Sequence, residues 1–270
     1  LAALIPSISN SRTIHTALAF LTVGIGLKLA MFPLHLWLPN AYTYAPSVVT
    51  AFLAATATKV AAYVLIRIVF TLFGEVNILE NLSLQYSMMA LAIIAMFVAS
   101  ITAIFQENLK RMFAYSSVAQ IGFITLGIGL MNSSALTGSI SYMFAHALTK
   151  GTIFALIATL IFSLKEIDIK SISGLVKTQP LIAFLFLITL LSLIGFPGTV
   201  GFISKWYLIL GALQYKSILV ILIVAVSSLF TIAYVWKISK LIFFSGAKYF
   251  FLYNCKISFL TGIPTTNVFL

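Results

Sequence analysis

Four lysines lie deep inside long apolar stretches of this sequence: Lys28, Lys59, Lys150 and Lys205. A charged lysine at the centre of a lipid bilayer costs about 2.5–3.5 kcal/mol even on a lenient insertion scale. Burial favours the neutral form of the side chain, whereas a nearby carboxylate or water restores its charge. A lysine held between these two tendencies can gain and lose a proton near neutral pH. The four lysines therefore indicate a path along which protons or other ions move.

His146 lies one helical turn before Lys150, which places both side chains on the same face of a helix. Because histidine changes its charge near physiological pH, the pair would form one step of a proton relay. A histidine that only hydrogen-bonds a neighbouring helix is the alternative. The sequence thus predicts a proton relay made of Lys28, Lys59, His146, Lys150 and Lys205.

Lysines near the ends of membrane helices often extend their long side chains to the headgroups, which is called snorkelling. If the four lysines did so, their presence would need no functional explanation. Lys59 and Lys150 each lie about 12 residues from either end of their apolar stretch, which is roughly 18 Å at the rise of a helix. That distance exceeds the reach of one side chain. Snorkelling therefore cannot explain Lys59 and Lys150.

The composition predicts which elements hold these residues. The chain is 61% hydrophobic and 8% charged, with a mean hydropathy of +1.13, which excludes an ordinary soluble domain. Apolar stretches of about 18 residues or more cross a bilayer as helices. We predict an all-α polytopic membrane protein with about seven transmembrane helices. The predicted spans are 16–36, 47–72, 87–105, 113–130, 138–162, 181–213 and 217–244.

Two of these spans are predicted to be discontinuous. Pro33 interrupts the first span, and the sixth contains a cluster of helix-breaking residues: Gly195, Pro197, Gly198 and Gly201. Broken backbone inside a membrane is tolerated only where protein or a water-filled cavity satisfies it, and such breaks mark ion sites in many transporters. A kink that serves packing alone is the alternative reading of each break.

No aspartate or glutamate falls inside any predicted span, so the counter-ions of the lysines must come from elsewhere. The sequence also contains no phosphate-binding glycine motif and no cluster of metal ligands, and Cys255 is its single cysteine. We therefore expect no enzyme chemistry, no cofactor and no metal in this chain. The net charge of +11 does not indicate nucleic-acid binding, because most lysines lie in connections or inside spans.

Basic residues in the connections predict the orientation. With Arg12 on one side, the opposite side receives most of the other basic residues: Lys110, Arg111, Lys165, Lys170, Lys177, Lys240, Lys248 and Lys256. Positive charge accumulates on the cytoplasmic side of membrane proteins. The loops 106–112 and 164–179 are therefore predicted to be cytoplasmic.

Several segments together resemble one known family. They are GLKLAMFPLHLWLPNAY at 26–42, TKVAAY at 58–63, NLKRMFAYSSVAQIG at 108–122, HALTKG at 146–151 and GFPGTVGFISKW at 195–206. This set resembles the proton-conducting antiporter-like subunits that are shared by Mrp-type cation/proton antiporters and respiratory complex I. The likeness covers about 16–244, and details at 39–42 and 202–207 are most similar to the D-type subunit of the Mrp antiporter.

The resemblance implies a fourteen-helix fold with two inverted repeats, in which the seven spans correspond to helices seven to thirteen. A partial proton-conducting domain would cover 1–244, with the end of the first repeat at 1–72 and the second repeat at 87–244. A divergent tail would cover 245–270. Lys28 and Lys150 would be the central lysines of the two half-channels, Lys59 their connection and Lys205 the outlet.

The resemblance also implies a function. The chain would translocate protons as a subunit of a multisubunit Na⁺(K⁺)/H⁺ antiporter in the bacterial inner membrane. A proton-pumping membrane subunit of NADH-quinone oxidoreductase is the alternative, and an inactive fragment of either is a third. Because the sequence opens at Leu1 without an initiator methionine, we expect it to begin inside a longer protein. The family's glutamate partner of the first lysine would precede Leu1.

Overall fold

The computed structural model describes residues 12–72, 84–164 and 168–245. Across these ranges the regular elements are helical, and the all-α prediction is confirmed. The main helices are α1 (Arg12–Leu29), α2 (Trp37–Tyr44), α3 (Ser47–Ile66), α4 (Leu84–Phe105), α5 (Leu109–Gly129), α6 (Ser133–Leu164), α7 (Pro180–Ile194), α8 (Val200–Gln214) and α9 (Ile218–Ser239). Wider π-helical turns continue α3 through Arg67–Leu72 and α9 through Lys240–Phe244.

Five helical runs in the described part of the chain are long and apolar enough to cross a bilayer: Ser47–Leu72, Leu84–Phe105, Leu109–Gly129, Ser133–Ile161 and Ile218–Phe244. The shorter apolar helices α7 and α8 together occupy the sixth predicted span. Large apolar side chains such as Phe20, Leu181 and Ile218 cover the outer surface. An apolar exterior around polar interior groups is the pattern of a membrane protein, and the chain is a membrane-embedded, polytopic helical bundle.

The first predicted span is discontinuous, as expected from Pro33. Helix α1 ends at Leu29, and Ala30 follows with a φ of 61°. The chain then resumes as α2, which contains Pro39. Most of the connection between the first two predicted spans, 37–46, is therefore helical. A proline in the first turn of a helix is tolerated because the backbone nitrogen there has no helical acceptor.

The sixth predicted span is also discontinuous. Helix α7 ends at Ile194 and α8 begins at Val200. Gly195 and Gly198 between them adopt φ values of 86° and 91°, a left-handed conformation that favours glycine. The Gly195 N–H donates back to Leu191 and Ser192, so the helix end is closed by its own backbone.

Two helices begin earlier than the sequence predicted, because asparagine side chains cap them. The Asn108 side-chain oxygen accepts the Arg111 N–H at 3.1 Å, and α5 starts at Leu109 rather than at position 113. The Asn132 oxygen accepts the Ala135 N–H at 2.8 Å, and α6 starts at Ser133 rather than at position 138. Much of the predicted loop 106–112 is therefore helix.

Helix α5 is the centre of the bundle. Every residue of this helix except Arg111 and Tyr115 is buried. It packs against α2, α4 and α6, and α6 packs in turn against α3, α7 and α8. A central helix that is enclosed on all sides can carry polar groups on any of its faces, provided that a neighbouring helix supplies their partners.

We predict that Gly211→Ala destabilises the α6–α8 contact. An added Cβ at Gly211 would lie 2.5 Å from the Cβ and 2.8 Å from the Cα of Ala135, and backbone atoms cannot move aside cheaply. Overpacking of this kind costs about 1–3 kcal/mol. Thermal unfolding in detergent measures the loss. Gly24→Ala is the matched control, since nothing lies within 4 Å of its added Cβ. Equal stability of the two variants would contradict this packing.

Candidate functional site

Lys150 is fully buried at the interface between α6 and α5. Its ammonium donates hydrogen bonds to the Phe113 carbonyl, at 2.9 Å, and to the Ser116 hydroxyl. The same ammonium lies 5.3 Å from the centre of the Phe113 ring, within the range of a cation–π contact. The partners of this lysine are thus neutral groups of α5.

Lys59 approaches this site from α3. It is buried, and its ammonium donates to the Ala54 carbonyl of its own helix. Helices α3 and α6 approach each other closely near Lys59. An added Cβ at Gly151 on α6 would lie only 3.2 Å from the Ala55 Cβ on α3. Lys59 and Lys150 are near enough for their charges to interact.

His146 completes this cluster on α6. Its side chain is 2% exposed, and electrostatic interactions link it to both Lys59 and Lys150. Neither ring nitrogen has a hydrogen-bond partner among the described residues. The relay role of His146 stays a prediction.

Lys205 lies at the second helix break. From α8 its ammonium donates to the Ile194 carbonyl, the last residue of α7, at 2.6 Å, and to the Ser228 hydroxyl at 3.2 Å. The last carbonyls of a helix lack partners within the helix and carry its negative dipole end. The Lys205 ammonium satisfies one of these carbonyls and lies 5.1 Å from the centre of the Phe123 ring.

The glycines of the second break allow this close approach. An added Cβ at Gly195 would lie 3.0 Å from Cδ of Lys205, and one at Gly201 would lie 1.9 Å from the Ser192 carbonyl oxygen. Both glycines thus bring α7 and α8 together, whereas Pro197 and Gly198 lie in the exposed turn between them.

Lys28 differs from the other members of the predicted relay. It lies near the end of α1 with its side chain exposed. The first break is completed by Trp37, whose indole N–H donates to the Leu27 carbonyl at 2.8 Å. The structure therefore brings together Lys59, His146 and Lys150, places Lys205 at the neighbouring break, and leaves Lys28 on the surface of this chain.

Sequence reasoning missed a buried network of neutral polar groups beside the cluster. The Tyr142 hydroxyl donates to the side-chain oxygen of Gln120, and the Gln120 amide donates to the Tyr234 hydroxyl at 3.4 Å. Tyr234 also interacts with Ser116, the partner of Lys150. Polar residues spaced three and four positions apart in the apolar stretch of α5 were the available signal.

Two lysines outside the predicted relay bind carbonyls at the ends of helices. Lys110 donates to the Ala45 carbonyl, just after α2, at 2.9 Å. Lys237 donates to the carbonyls of Ile104 and Gln106 at the end of α4, at 2.8 and 2.9 Å. These residues have structural partners in addition to any role in orientation.

The described residues include only two carboxylates, Glu107 and Asp168, and both are exposed. They line a cavity of about 350 Å³ at the far end of α9, together with Lys170, Lys237 and Lys240. Within 12–72, 84–164 and 168–245, no three side chains of histidine, cysteine, aspartate or glutamate come together as metal ligands would. The partners of Lys59 and Lys150 are therefore carbonyl and hydroxyl groups rather than carboxylates of the described residues.

Comparison with known proteins places this geometry in a family. A family model described as the transmembrane region of NADH:quinone oxidoreductase and Mrp antiporters matches residues 1–231. The chain belongs to this family. It is 39% identical over 246 residues to NADH-quinone oxidoreductase subunit N of Desulforudis audaxviator, covering 91% of this chain and 49% of that relative. It is 32% identical over 191 residues to subunit M of Rickettsia typhi, covering 70% and 37%.

Chains of solved membrane complexes have a similar fold. A chain of the Mrp complex from Dietzia sp. matches with a TM-score of 0.82 and 29% identity, over 90% of this chain and 44% of that one. A chain of an archaeal membrane-bound sulfane sulfur reductase matches with a TM-score of 0.77 and 29% identity, over 82% and 45%. The chain thus spans about half the length of the relatives it matches.

We predict that Lys205→Met destabilises the second break. The Ile194 carbonyl would lose its donor, and an unsatisfied buried carbonyl costs about 1–3 kcal/mol. Lys177→Met is the control, because Lys177 is exposed in a connection. Thermal unfolding in detergent compares the two. If Lys205→Met were as stable as the control, the hydrogen bond to Ile194 would not hold the break together.

Proposed function

We propose that this chain translocates protons across the membrane, as an antiporter-like subunit of a multisubunit membrane complex. The observation that carries the proposal is the buried cluster of Lys59, His146 and Lys150, with Lys205 at the adjoining helix break. Family membership supports the same conclusion. The proposed relay runs from Lys28 through Lys59, His146 and Lys150 to Lys205.

The hydrogen-bond partners of the lysines suit a relay. A carboxylate in contact with a lysine would hold it in the charged form, whereas carbonyl and hydroxyl oxygens bind an ammonium without cancelling its charge. Positive charges on Lys59, His146 and Lys150 repel one another in the apolar interior. Protonation of one group therefore favours departure of a proton from the next, which moves charge along the cluster.

Lys28 occupies the end of the proposed relay that meets the rest of the complete protein. The relatives are about twice as long as this chain, and we propose that a further part of the subunit packs on the exposed side of α1. The carboxylate partner that the family supplies to the first lysine would lie in that part. We place the complete complex in the bacterial inner membrane, with 106–112 and 164–179 on the cytoplasmic side.

Two coupling modes follow from the relatives. Exchange of protons for Na⁺ or K⁺ would match the Mrp complex, whose chain gives a TM-score of 0.82. Proton pumping driven by NADH oxidation would match the oxidoreductase subunit that is 39% identical. In both modes we assign ion transfer to this chain, and in the second mode we assign NADH oxidation to other subunits.

We predict that Lys150→Arg strongly slows proton translocation, measured with a pH-sensitive dye in vesicles that contain the complete complex. Arginine keeps the positive charge and hydrogen-bond donors but does not release its proton. If Lys150 relays protons, transport should therefore slow more than about tenfold. If Lys150 is only a structural cation, arginine should substitute for it and transport should stay unchanged. Lys177→Met is the control for expression and assembly. Wild-type transport in a stable Lys150→Arg variant would rule out proton transfer at this position.

The coupling modes give different results in the same vesicles. If the complex is a cation/proton antiporter, we expect added Na⁺ or K⁺ to collapse an imposed pH gradient, and Lys59→Met to prevent the collapse. If it is a respiratory pump, we expect NADH-oxidising subunits to copurify and NADH to build a gradient that Lys59→Met abolishes. A stable complex that does neither would contradict the proposed function.

A further inference from the structure

Charged side chains of both signs line the cavity of about 350 Å³ at the far end of α9. Lys170, Lys237 and Lys240 supply three positive charges, and Glu107 and Asp168 supply two negative ones. In the described part of the chain, no ion pair joins either carboxylate to a basic side chain. The opposite charges therefore line the same cavity without binding each other.

Hydrogen bonds between separate connections hold the walls of this charged cavity in place. The Ile169 N–H donates to the Glu107 carbonyl at 2.9 Å, which joins the α6–α7 connection to the α4–α5 connection. Lys237 donates to two carbonyls at the end of α4, at 2.8 and 2.9 Å. The ammonium groups of Lys170 and Lys240, by contrast, have no acceptor among the residues that the structure describes. Two lysines and two carboxylates are thus available to a ligand.

An apolar groove of about 510 Å³ lies beside the charged cavity, between α7 and the last turns of α9. Trp236 lines this groove, and its neighbour Lys237 lines the charged cavity. Ser239 and Lys240 divide between the two spaces in the same way. Apart from Ser239, the residues that line the groove are apolar or aromatic, among them Leu190, Ile194, Ile232 and Phe244. The end of α9 therefore separates a charged space from an adjacent apolar one.

The length of α9 shows where these two spaces lie in the membrane. The apolar run Ile218–Phe244 has 27 residues, which is roughly 40 Å at the rise of a helix. The hydrocarbon core of a bilayer is only about 30 Å thick, so the end of the run with Lys237 and Lys240 extends to the headgroups. The exposed indole of Trp236 is typical of this boundary. The groove continues inward from there to Ile194.

We propose that this end of α9 binds one phospholipid with an ethanolamine headgroup. The lipid phosphate accepts hydrogen bonds from Lys170 and Lys240, and the primary ammonium of the headgroup donates to Glu107 and Asp168. One acyl chain lies in the groove beside Trp236. A phosphate and an ammonium that are joined by two carbons match a cavity in which cations and carboxylates lie close together. This binding does not depend on the proposed function.

The charges of the cavity favour this headgroup over those of other phospholipids. Three lysines against two carboxylates leave only one net positive charge, so an anionic lipid gains little attraction. A glycerol headgroup offers no cation to Glu107 and Asp168. A choline headgroup carries a cation without N–H donors, so it cannot form the charge-assisted hydrogen bonds that a primary ammonium forms. Inorganic phosphate uses neither the carboxylates nor the groove.

Native mass spectrometry of the complete complex tests the selectivity. Phosphatidylethanolamine, phosphatidylcholine and phosphatidylglycerol with identical acyl chains are added to the delipidated complex, and the bound copies of each are counted. We expect one site of the wild type to bind the ethanolamine lipid about fivefold more strongly than the other two. Comparison with variants of this chain separates the site from lipids that bind other subunits.

Two double variants test the headgroup contacts. Glu107→Gln with Asp168→Asn keeps the side-chain shapes and removes both negative charges, so binding of the ethanolamine lipid should fall and binding of phosphatidylglycerol should rise. Lys170→Gln with Lys240→Gln should weaken binding of both lipids, by about fivefold for each lysine. Lys177→Gln is the control, because Lys177 is exposed and does not line the cavity.

Photocrosslinking tests the groove. A phosphatidylethanolamine with a photoreactive group on one acyl chain should label peptides of α7 and α9 in the complete complex. Leu191→Trp should reduce this labelling at least about threefold, because the larger side chain fills part of the groove. Leu213→Trp is the matched control, since Leu213 is exposed on α8 and does not line the groove.

Three results would overturn the inference. The first is equal binding of the three lipids to the wild type, and the second is an unchanged preference in the variant without the two carboxylates. The third is an absence of label on α7 and α9, which would mean that a partner subunit or another segment of this chain covers the groove. None of these measurements involves proton transport, so the lipid site and the proposed function can fail independently.

Discussion

The structure depends on one constraint: a polar group in an apolar interior must meet another polar group. Peptide carbonyls and lysine ammonium groups satisfy this constraint for each other, both at helix ends and within α5. Lys150 joins α6 to the Phe113 carbonyl of α5, Lys205 joins α8 to the end of α7, and Lys110 joins α5 to the end of α2. The lysines that would be costly in lipid are thus also links between helices, and each link sets the spacing of a helix pair.

The two breaks solve the same backbone problem with different chemistry. At the first, the neutral indole of Trp37 donates to the Leu27 carbonyl. At the second, the Lys205 ammonium donates to the Ile194 carbonyl. A neutral indole donor does not change its charge with pH, whereas an ammonium donor can lose its proton. The inverted repeats implied by the family resemblance therefore need not behave alike, because a buried lysine bonds the last carbonyl of the preceding half-helix at the second break.

Much of the fold was predictable from the sequence because apolar length and helix-breaking residues are local signals. The spans and both discontinuities follow from them. Helix starts were misplaced because Asn108 and Asn132 act through specific side-chain hydrogen bonds. For the site, depth along a helix predicted that Lys59 and Lys150 are buried, but it could not show which face Lys28 occupies. Gln120 was missed because its importance comes from residues far away in sequence. The division at 1–72 and 87–244 remains a prediction, and most of the tail 245–270 lies outside the described residues.

The contact between Lys205 and Ile194 gives the second break a mechanical property. A hydrogen bond from an ammonium is about twice as strong as one from a neutral amine. When the Lys205 amine is protonated, its hydrogen bond to the end of α7 is at its stronger value. When the proton leaves, the same contact weakens without any change of partner. The strength of the hydrogen bond that joins the two half-helices therefore depends on the charge of one side chain.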